Sequence, residues 1–137
     1  MGPMEPLVRV VGLDHIVLLC ADQERSLRFY RDTLGLEGDR VDEWRSGEVP
    51  FPSVRIDRTT IIDLFARSEA DSPPPDGANL DHFCVVVEPV DLDDLAAHDA
   101  IDVVRGPLDH LYGAQGYARS LYVRDPDGNT VELRSYE

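Results

Sequence analysis

The tripeptide Leu-Asp-His stands twice at the head of an apolar run, at positions 67 residues apart. Leu13-Asp14-His15 leads into Ile16-Val17-Leu18-Leu19, and Leu80-Asp81-His82 leads into Phe83-Cys84-Val85-Val86-Val87. A second pair keeps nearly the same spacing, since Ile62-Asp63-Leu64 and Val131-Glu132-Leu133 lie 69 residues apart. The chain therefore reads as a unit of roughly sixty residues written twice. Each unit starts with a strand carrying a His and ends with a strand carrying a carboxylate. Two imidazoles and one or two carboxylates related by a repeat make a donor set for a metal at a pseudo-twofold axis.

A third Leu-Asp-His, at Leu108-Asp109-His110, has no long apolar run behind it. The tripeptide alone is therefore weak, and the paired equivalence of His15 with His82 and of Asp63 with Glu132 carries the argument. Side chains alternate across a strand. His15 shares a face with Val17 and Leu19, Asp63 with Ile61 and Phe65, His82 with Cys84 and Val86, and Glu132 with Thr130 and Arg134. His15, Asp63 and His82 thus share their faces with apolar residues, and Glu132 lies between the apolar Val131 and Leu133. Burying a carboxylate without a partner is costly, and a metal or a hydrogen-bonded His offsets that cost.

The 137 residues suffice for one compact domain with a real core. The formal charge is −14, and all 13 basic residues are Arg. Such a chain repels phosphate backbones, so a nucleic-acid partner is not expected. No apolar run reaches the ~20 residues of a membrane helix. Residues 1–9 lack a secretory pattern, so the expected compartment is the cytoplasm. Cys20 and Cys84 have no zinc-type spacing and read as buried free thiols in matching strands.

Val11 to Cys20 predicts a strand, Asp22 a helix N-cap, and Gln23 to Leu34 a helix with Leu27, Tyr30 and Leu34 on one face. Gly35 suits the stop position. Arg40 to Arg45, Phe51 to Asp57 and Thr59 to Ala66 read as three further strands. The three prolines of Ser72-Pro73-Pro74-Pro75-Asp76-Gly77 break any ladder and mark a linker. After it come a strand at Leu80 to Glu88 and a short helix capped by Asp91. A short strand at Asp102 to Arg105 follows, then a hairpin of Arg119 to Arg124 with Asn129 to Ser135, turning at residues 125–129. The predicted organisation is α+β. A βαβββ module at 11–71, a linker at 72–78 and a second βαβββ module at 79–137 form one domain. Between Gly106 and Gly116 the chain reads as a polar-aromatic lid loop, with Tyr112, Gln115 and Tyr117 as substrate contacts. Trp44 and Phe51 read as the opposite wall or as core.

From about Gly12 to Tyr136 the chain resembles the vicinal oxygen chelate superfamily of glyoxalases, bleomycin-resistance proteins and extradiol dioxygenases. Its subgroup resembles the small bacterial glyoxalase-domain proteins. One signature runs from Leu13 to Leu18 and on through Arg25-Ser26-Leu27-Arg28-Phe29-Tyr30-Arg31-Asp32-Thr33-Leu34-Gly35-Leu36. The other is Ser120-Leu121-Tyr122-Val123-Arg124-Asp125-Pro126-Asp127-Gly128-Asn129-Thr130-Val131-Glu132-Leu133. The resemblance implies one divalent metal ion per site (Ni, Zn, Fe, Co or Mn), held by His15, His82 and Glu132, with Asp63 at the fourth position. Related glyoxalases carry the longer Glu or Gln there, so direct ligation by Asp63 stays open. It also implies that the two modules form a curved mixed sheet around the metal site, with a small-molecule substrate and a homodimer.

The activity this resemblance implies is a glyoxalase-like lyase or isomerase acting on vicinal oxygens through a metal-stabilised enediolate. Glu132 and Asp63 would move the proton. Three alternatives accompany it. An extradiol dioxygenase matches Leu121-Tyr122-x-x-Asp125-Pro126-x-Gly128-x-x-x-Glu132, with Tyr122 assisting catalysis, but that pattern wants a His where Gln115 stands. Thiol transfer to an epoxide antibiotic would need a cationic pocket, here from Arg119 or Arg124 because the chain has no Lys. A metal-free drug-binding protein would have lost the ligands that this chain retains.

Overall fold

The computed structural model describes residues 5–68, 77–124, 126 and 128–136. Among these, eight strands form one mixed sheet. They are β1 (Val10–Cys20), β2 (Glu37–Asp39), β3 (Ser53–Arg55), β4 (Ile61–Ala66), β5 (Leu80–Val87), β6 (Val103–Gly113), β7 (Gly116–Arg124) and β8 (Thr130–Ser135). Three short helices, α1 (Gln23–Arg28), α2 (Val41–Arg45) and α3 (Leu92–Ala96), complete the α+β fold. The order across the sheet is β2-β3-β4-β1-β5-β8-β7-β6. β1 and β5 run antiparallel at its centre. β4 lies parallel to β1, and β8 parallel to β5, so each half repeats the other. The expected linker residues 72–76 lie outside the described residues, as do Asp125 and Asp127 of the expected hairpin turn.

The alternation of the strands separates core from site. On one face Leu27, Val54, Ile62 and Leu64 form a buried cluster, with Ile16, Leu18 and Trp44 packed on it. Its counterpart in the other half joins Val87, Leu92, Leu95, Leu121 and Leu133. The opposite face carries His15, Val17, Asp63, His82 and Glu132. Trp44 therefore belongs to the core, whereas Phe51 faces the site. The expected caps form. The Asp22 side chain accepts from Arg25 N–H, and Asp91 accepts from Asp93 and Asp94 N–H. Gly35 ends its segment at φ +77°, where other residues are strained.

Three local readings are corrected. Residues 40–45 form helix α2 rather than a strand. Val41 and Trp44 are one helical turn apart and pack on the first cluster, and Asp42, Glu43 and Arg45 match the helix dipole. The helix expected over 23–34 is α-helical only to Arg28 and continues as a π-helical turn, Phe29–Thr33. The loop expected over 106–116 is instead most of β6 and its tight turn into β7. Gly106-Pro107 fits within the strand because the β6–β7 register slips there. Arg105 pairs with Tyr122 and Leu108 with Ser120, leaving an extra residue on β6. A bulge needs no ladder donor from the proline.

Candidate metal centre

Strand pairing lays the site out as two rows across the sheet. Cys84 of β5 pairs with His15 of β1 on one side and with Glu132 of β8 on the other. Val17 of β1 pairs with His82 of β5 and with Asp63 of β4. Paired residues point to the same face. The rows His15–Cys84–Glu132 and His82–Val17–Asp63 are thus pseudo-twofold equivalents, with a small apolar residue between each imidazole and its carboxylate. Val17 and Cys84 are both fully buried and form the floor. Cys84 is a free thiol that burial pushes up to about 12, so it stays protonated.

Bulges complete the design. Between Leu13 and His15, β1 advances two residues while β5 moves one, and between Val17 and Leu18 the extra residue falls on β5. The two surplus residues are Asp14 and Asp81. A strand without bulges would turn each Asp away from its His; here each carboxylate meets the neighbouring imidazole. Asp14 Oδ1 and Asp81 Oδ2 lie 2.7 Å from Nδ1 of His15 and His82 respectively. A carboxylate only accepts, so both Nδ1 atoms carry hydrogen and both Nε2 atoms turn inward. This role of the Leu-Asp-His aspartates escaped the alternation rule. Their repetition beside each His was the available signal.

The inward atoms converge. Glu132 Oε1 is 3.2 Å from His15 Nε2 and 3.1 Å from His82 Nε2. Asp63 Oδ2 stands slightly apart, 3.8 Å from His15 Nε2. His15, His82 and Glu132 are all buried, and each offers one donor atom within 4.8 Å of the others. Metal–ligand bonds of about 2.1 Å put adjacent ligand atoms roughly 3.0–3.4 Å apart, which matches these separations. With Nδ1 protonated, each neutral imidazole presents a lone pair to a carboxylate oxygen. That arrangement is repulsive unless a cation lies between, whether a proton on each Nε2 or a metal ion. The residues therefore fit a divalent metal held by two imidazoles and one carboxylate.

Electrostatics agree with the geometry. Burial works against a charged His15, yet Asp14, Cys84 and Glu132 together hold its proton far more tightly than usual. His82 behaves likewise, with burial opposed by Asp81 and Glu132. Burial would raise Glu132, but the two imidazoles and Ser120 hold it far below the usual carboxylate range. Asp63 goes the other way. Burial dominates and raises its pKa, although Ser53 Oγ donates to its Oδ1. The two pseudo-equivalent carboxylates are thus electrostatically distinct.

A cavity of about 310 Å³ opens over these groups, walled by Phe51, Phe65, Leu111, Tyr112, Tyr117 and Tyr122. Of the residues expected to touch substrate, Tyr112 and Tyr117 line it and Gln115 does not. Gln115 is exposed, and its backbone N–H donates to the Tyr136 hydroxyl. Arg119 is not in the cavity wall either. It pairs outside with Asp109 and Asp93, at 2.8 and 3.2 Å. Tyr122 edges onto His82 with ring centroids 5.3 Å apart, and burial pushes its phenol up to about 12. Among the wall residues not anticipated from sequence are the cations Arg40 and Arg105, and His110. His110 stacks on Tyr117 at 4.1 Å, its backbone at φ 56°.

Asp81 offers a clean probe of the outer shell, because its side chain is 43% exposed and can rehydrate when released. Asp81→Asn is expected to weaken divalent-metal binding roughly 10- to 100-fold, while the metal-free protein still unfolds cooperatively with a modestly lower melting temperature. Calorimetric titration with Ni²⁺ or Zn²⁺ measures the first and a thermal scan the second.

Comparison with known proteins agrees with the fold. The family model described as Glyoxalase/Bleomycin resistance protein/Dioxygenase superfamily matches residues 12–133. A virulence protein of Salmonella typhimurium is 30% identical over 127 residues, covering 90% of this chain and 83% of that protein. A glyoxalase domain-containing protein of Mycosarcoma maydis is 33% identical over 130 residues, covering 93% of this chain and 70% of that protein. Among solved structures, methylmalonyl-CoA epimerase from Mycobacterium tuberculosis shares the fold with a TM-score of 0.63 at 18% identity, covering 98% of this chain and 93% of its own. No helix among the described residues is long and apolar enough to cross a membrane.

Proposed function

The chain belongs to the Glyoxalase/Bleomycin resistance protein/Dioxygenase superfamily, and from that premise we propose that it is a divalent-metal-dependent lyase or isomerase for a small substrate with vicinal oxygens. His15, His82 and Glu132 hold the metal. The observation that carries this reading is the convergence of two inward Nε2 atoms on one Glu132 oxygen. A bound divalent cation supplies Lewis-acid stabilisation of negative charge that develops on substrate oxygens.

The chain's own residues divide the remaining work. Glu132 is gripped by Ser120 Oγ at 2.7 Å and by Arg134 Nη1 at 3.2 Å, so it stays ionised and serves as a ligand. Asp63 is the proton carrier. Its raised pKa brings it nearer to neutrality, where a carboxylate is the better base. Tyr122 keeps its proton and donates a hydrogen bond to a substrate oxygen beside His82. Phe51, Phe65 and Tyr112 exclude water from the proton path. Proton exchange in deuterated water at the carbon next to the carbonyl tests this reading, on a panel of hemithioacetals and 2-oxo acid thioesters. Asp63→Asn should lose ~10²–10⁴-fold in exchange rate with its metal content intact. An inert metal-loaded wild type across the panel would sink the reading.

One observation favours a second reading. His110, not Gln115, reaches the cavity wall, and with Tyr122 and the two-His, one-carboxylate set it provides the parts of a ferrous extradiol dioxygenase. Oxygen uptake with catechols on iron-loaded protein, abolished by His110→Ala, would select it over proton transfer.

A further inference from the structure

Arg40 is a cation with no ion-pair partner among the described residues. It lines the cavity, and its guanidinium carbon lies 3.7 Å from the ring centre of Tyr112 and 4.6 Å from that of Phe51. Its Nε and Nη2 are buried and have no hydrogen-bond partner among the described residues. No carboxylate among them comes within ion-pairing distance. Several other guanidiniums are ion-paired. Arg55 binds Asp39, Arg45 binds Glu24, and Arg119 binds Asp93 and Asp109. Among the described residues, Arg40 is also one of two non-glycine residues at positive φ, the other being the cavity residue His110. Residues held in that region concentrate at ligand sites.

The charge of the cavity points the same way. Asp63 and Glu132 balance Arg40 and Arg105 on its wall. With neutral imidazoles, a bound divalent cation leaves the cavity positive inside a chain whose formal charge is −14. A cationic pocket with apolar walls concentrates small anions even when the surface as a whole repels them. The stacked, planar guanidinium offers paired donors that match a carboxylate in a way that a lysine would not.

Building on the metal reading above, we propose that Arg40 is a specificity residue that binds a carboxylate of the substrate, so that the natural ligand is a small organic acid bearing vicinal oxygens. Its neutral counterparts are then rejected. Phe51 and Tyr112 hold the guanidinium at the cavity wall.

The test uses 2-oxobutanoate and its methyl ester as probes, titrated calorimetrically into nickel-loaded and metal-free protein. Wild type should prefer the acid, and Arg40→Met should weaken acid binding roughly 10- to 100-fold while leaving ester affinity and nickel content alone. Arg40→Lys, which keeps the charge, should retain part of the preference and guards against a folding defect in Arg40→Met. Unchanged acid affinity in nickel-loaded Arg40→Met, or no preference in wild type, overturns the proposal and leaves the metal reading standing. Absence of bound nickel in wild type overturns the metal reading instead. The acid preference of metal-free wild type over Arg40→Met then still decides the role of Arg40.

Discussion

His82→Ala is expected to reduce divalent-metal content from about one ion per chain to none, and to cost the metal-free chain less stability than His15→Ala does. The asymmetry between the two imidazoles makes His82 the right one to remove. Its Nδ1 partner, Asp81, is 43% exposed, so losing the ring returns that carboxylate to water. His15 leans on Asp14, whose side chain is fully buried, and removing it takes a partner from a carboxylate that cannot return to water. His15→Ala should therefore lose stability as well as metal. Elemental analysis of protein purified without a His-tag or chelator reads the metal. For wild type, added metal should raise the melting temperature, because a ligand at 100 times its Kd contributes about 2.7 kcal/mol; His82→Ala should show no such rise.

The pH dependence of the same pair separates the two cations that can fill the gap. In metal-free protein the folded-state pKa of His82 lies above its ordinary value of 6.5. The protonated ring thus contributes stability that is complete below the unfolded pKa and lost as pH rises through the folded one. Metal binding has the opposite slope, because the metal must displace those protons and binds more tightly as pH rises. Melting temperatures recorded with and without Ni²⁺ should diverge with increasing pH. Parallel curves would mean that no ligand proton is displaced.

The parts of this fold written into strand periodicity were legible in the sequence. His15, Asp63, His82 and Glu132 each sit in an apolar run with period two, and the shift of 67 to 69 residues between equivalents already implied a common face. What escaped depends on departures from that period. Asp14 and Asp81 support the imidazoles only because each is the surplus residue of a bulge. Alternation alone assigns neighbours to opposite faces. Residues 40–45 make too short a helix to show its period, so Arg40 was hidden in what read as a strand. Arg119 was read as a substrate cation, since nothing local reveals that Asp93 and Asp109 fold beside it. Gly106-Pro107 signals a loop in most settings, and only the extra residue on β6 lets it lie within a strand.

Arg134→Met should destabilise the chain by about 3–5 kcal/mol, the cost of breaking a buried charge network by removing one member. Arg134 is fully buried on the site face of β8. Its Nη1 reaches Glu132 Oε2 at 3.2 Å, and its Nη2 donates to the carbonyls of Gly116, at 2.7 Å, and Leu111. Its Nε stands 3.7 Å from Asp14 Oδ2. One guanidinium thus ties the ligand Glu132, the His15 support Asp14 and the β6–β7 hairpin into a single unit. The hairpin is shaped for it, since a Cβ at Gly113 would fall 2.5 Å from the guanidinium carbon. Methionine fills comparable volume but removes one donor to Glu132, the donor to both carbonyls and the positive charge beside Asp14. Lysine should rescue little, because a single ammonium cannot reach Glu132 and both carbonyls at once. Urea unfolding of metal-free protein measures the loss. Metal should restore part of it, because a divalent cation on Glu132 takes over the charge that Arg134 neutralised from behind. If metal restores nothing to Arg134→Met while still stabilising wild type, then Arg134 acts mainly by holding the hairpin carbonyls, and its pairing with Glu132 contributes little.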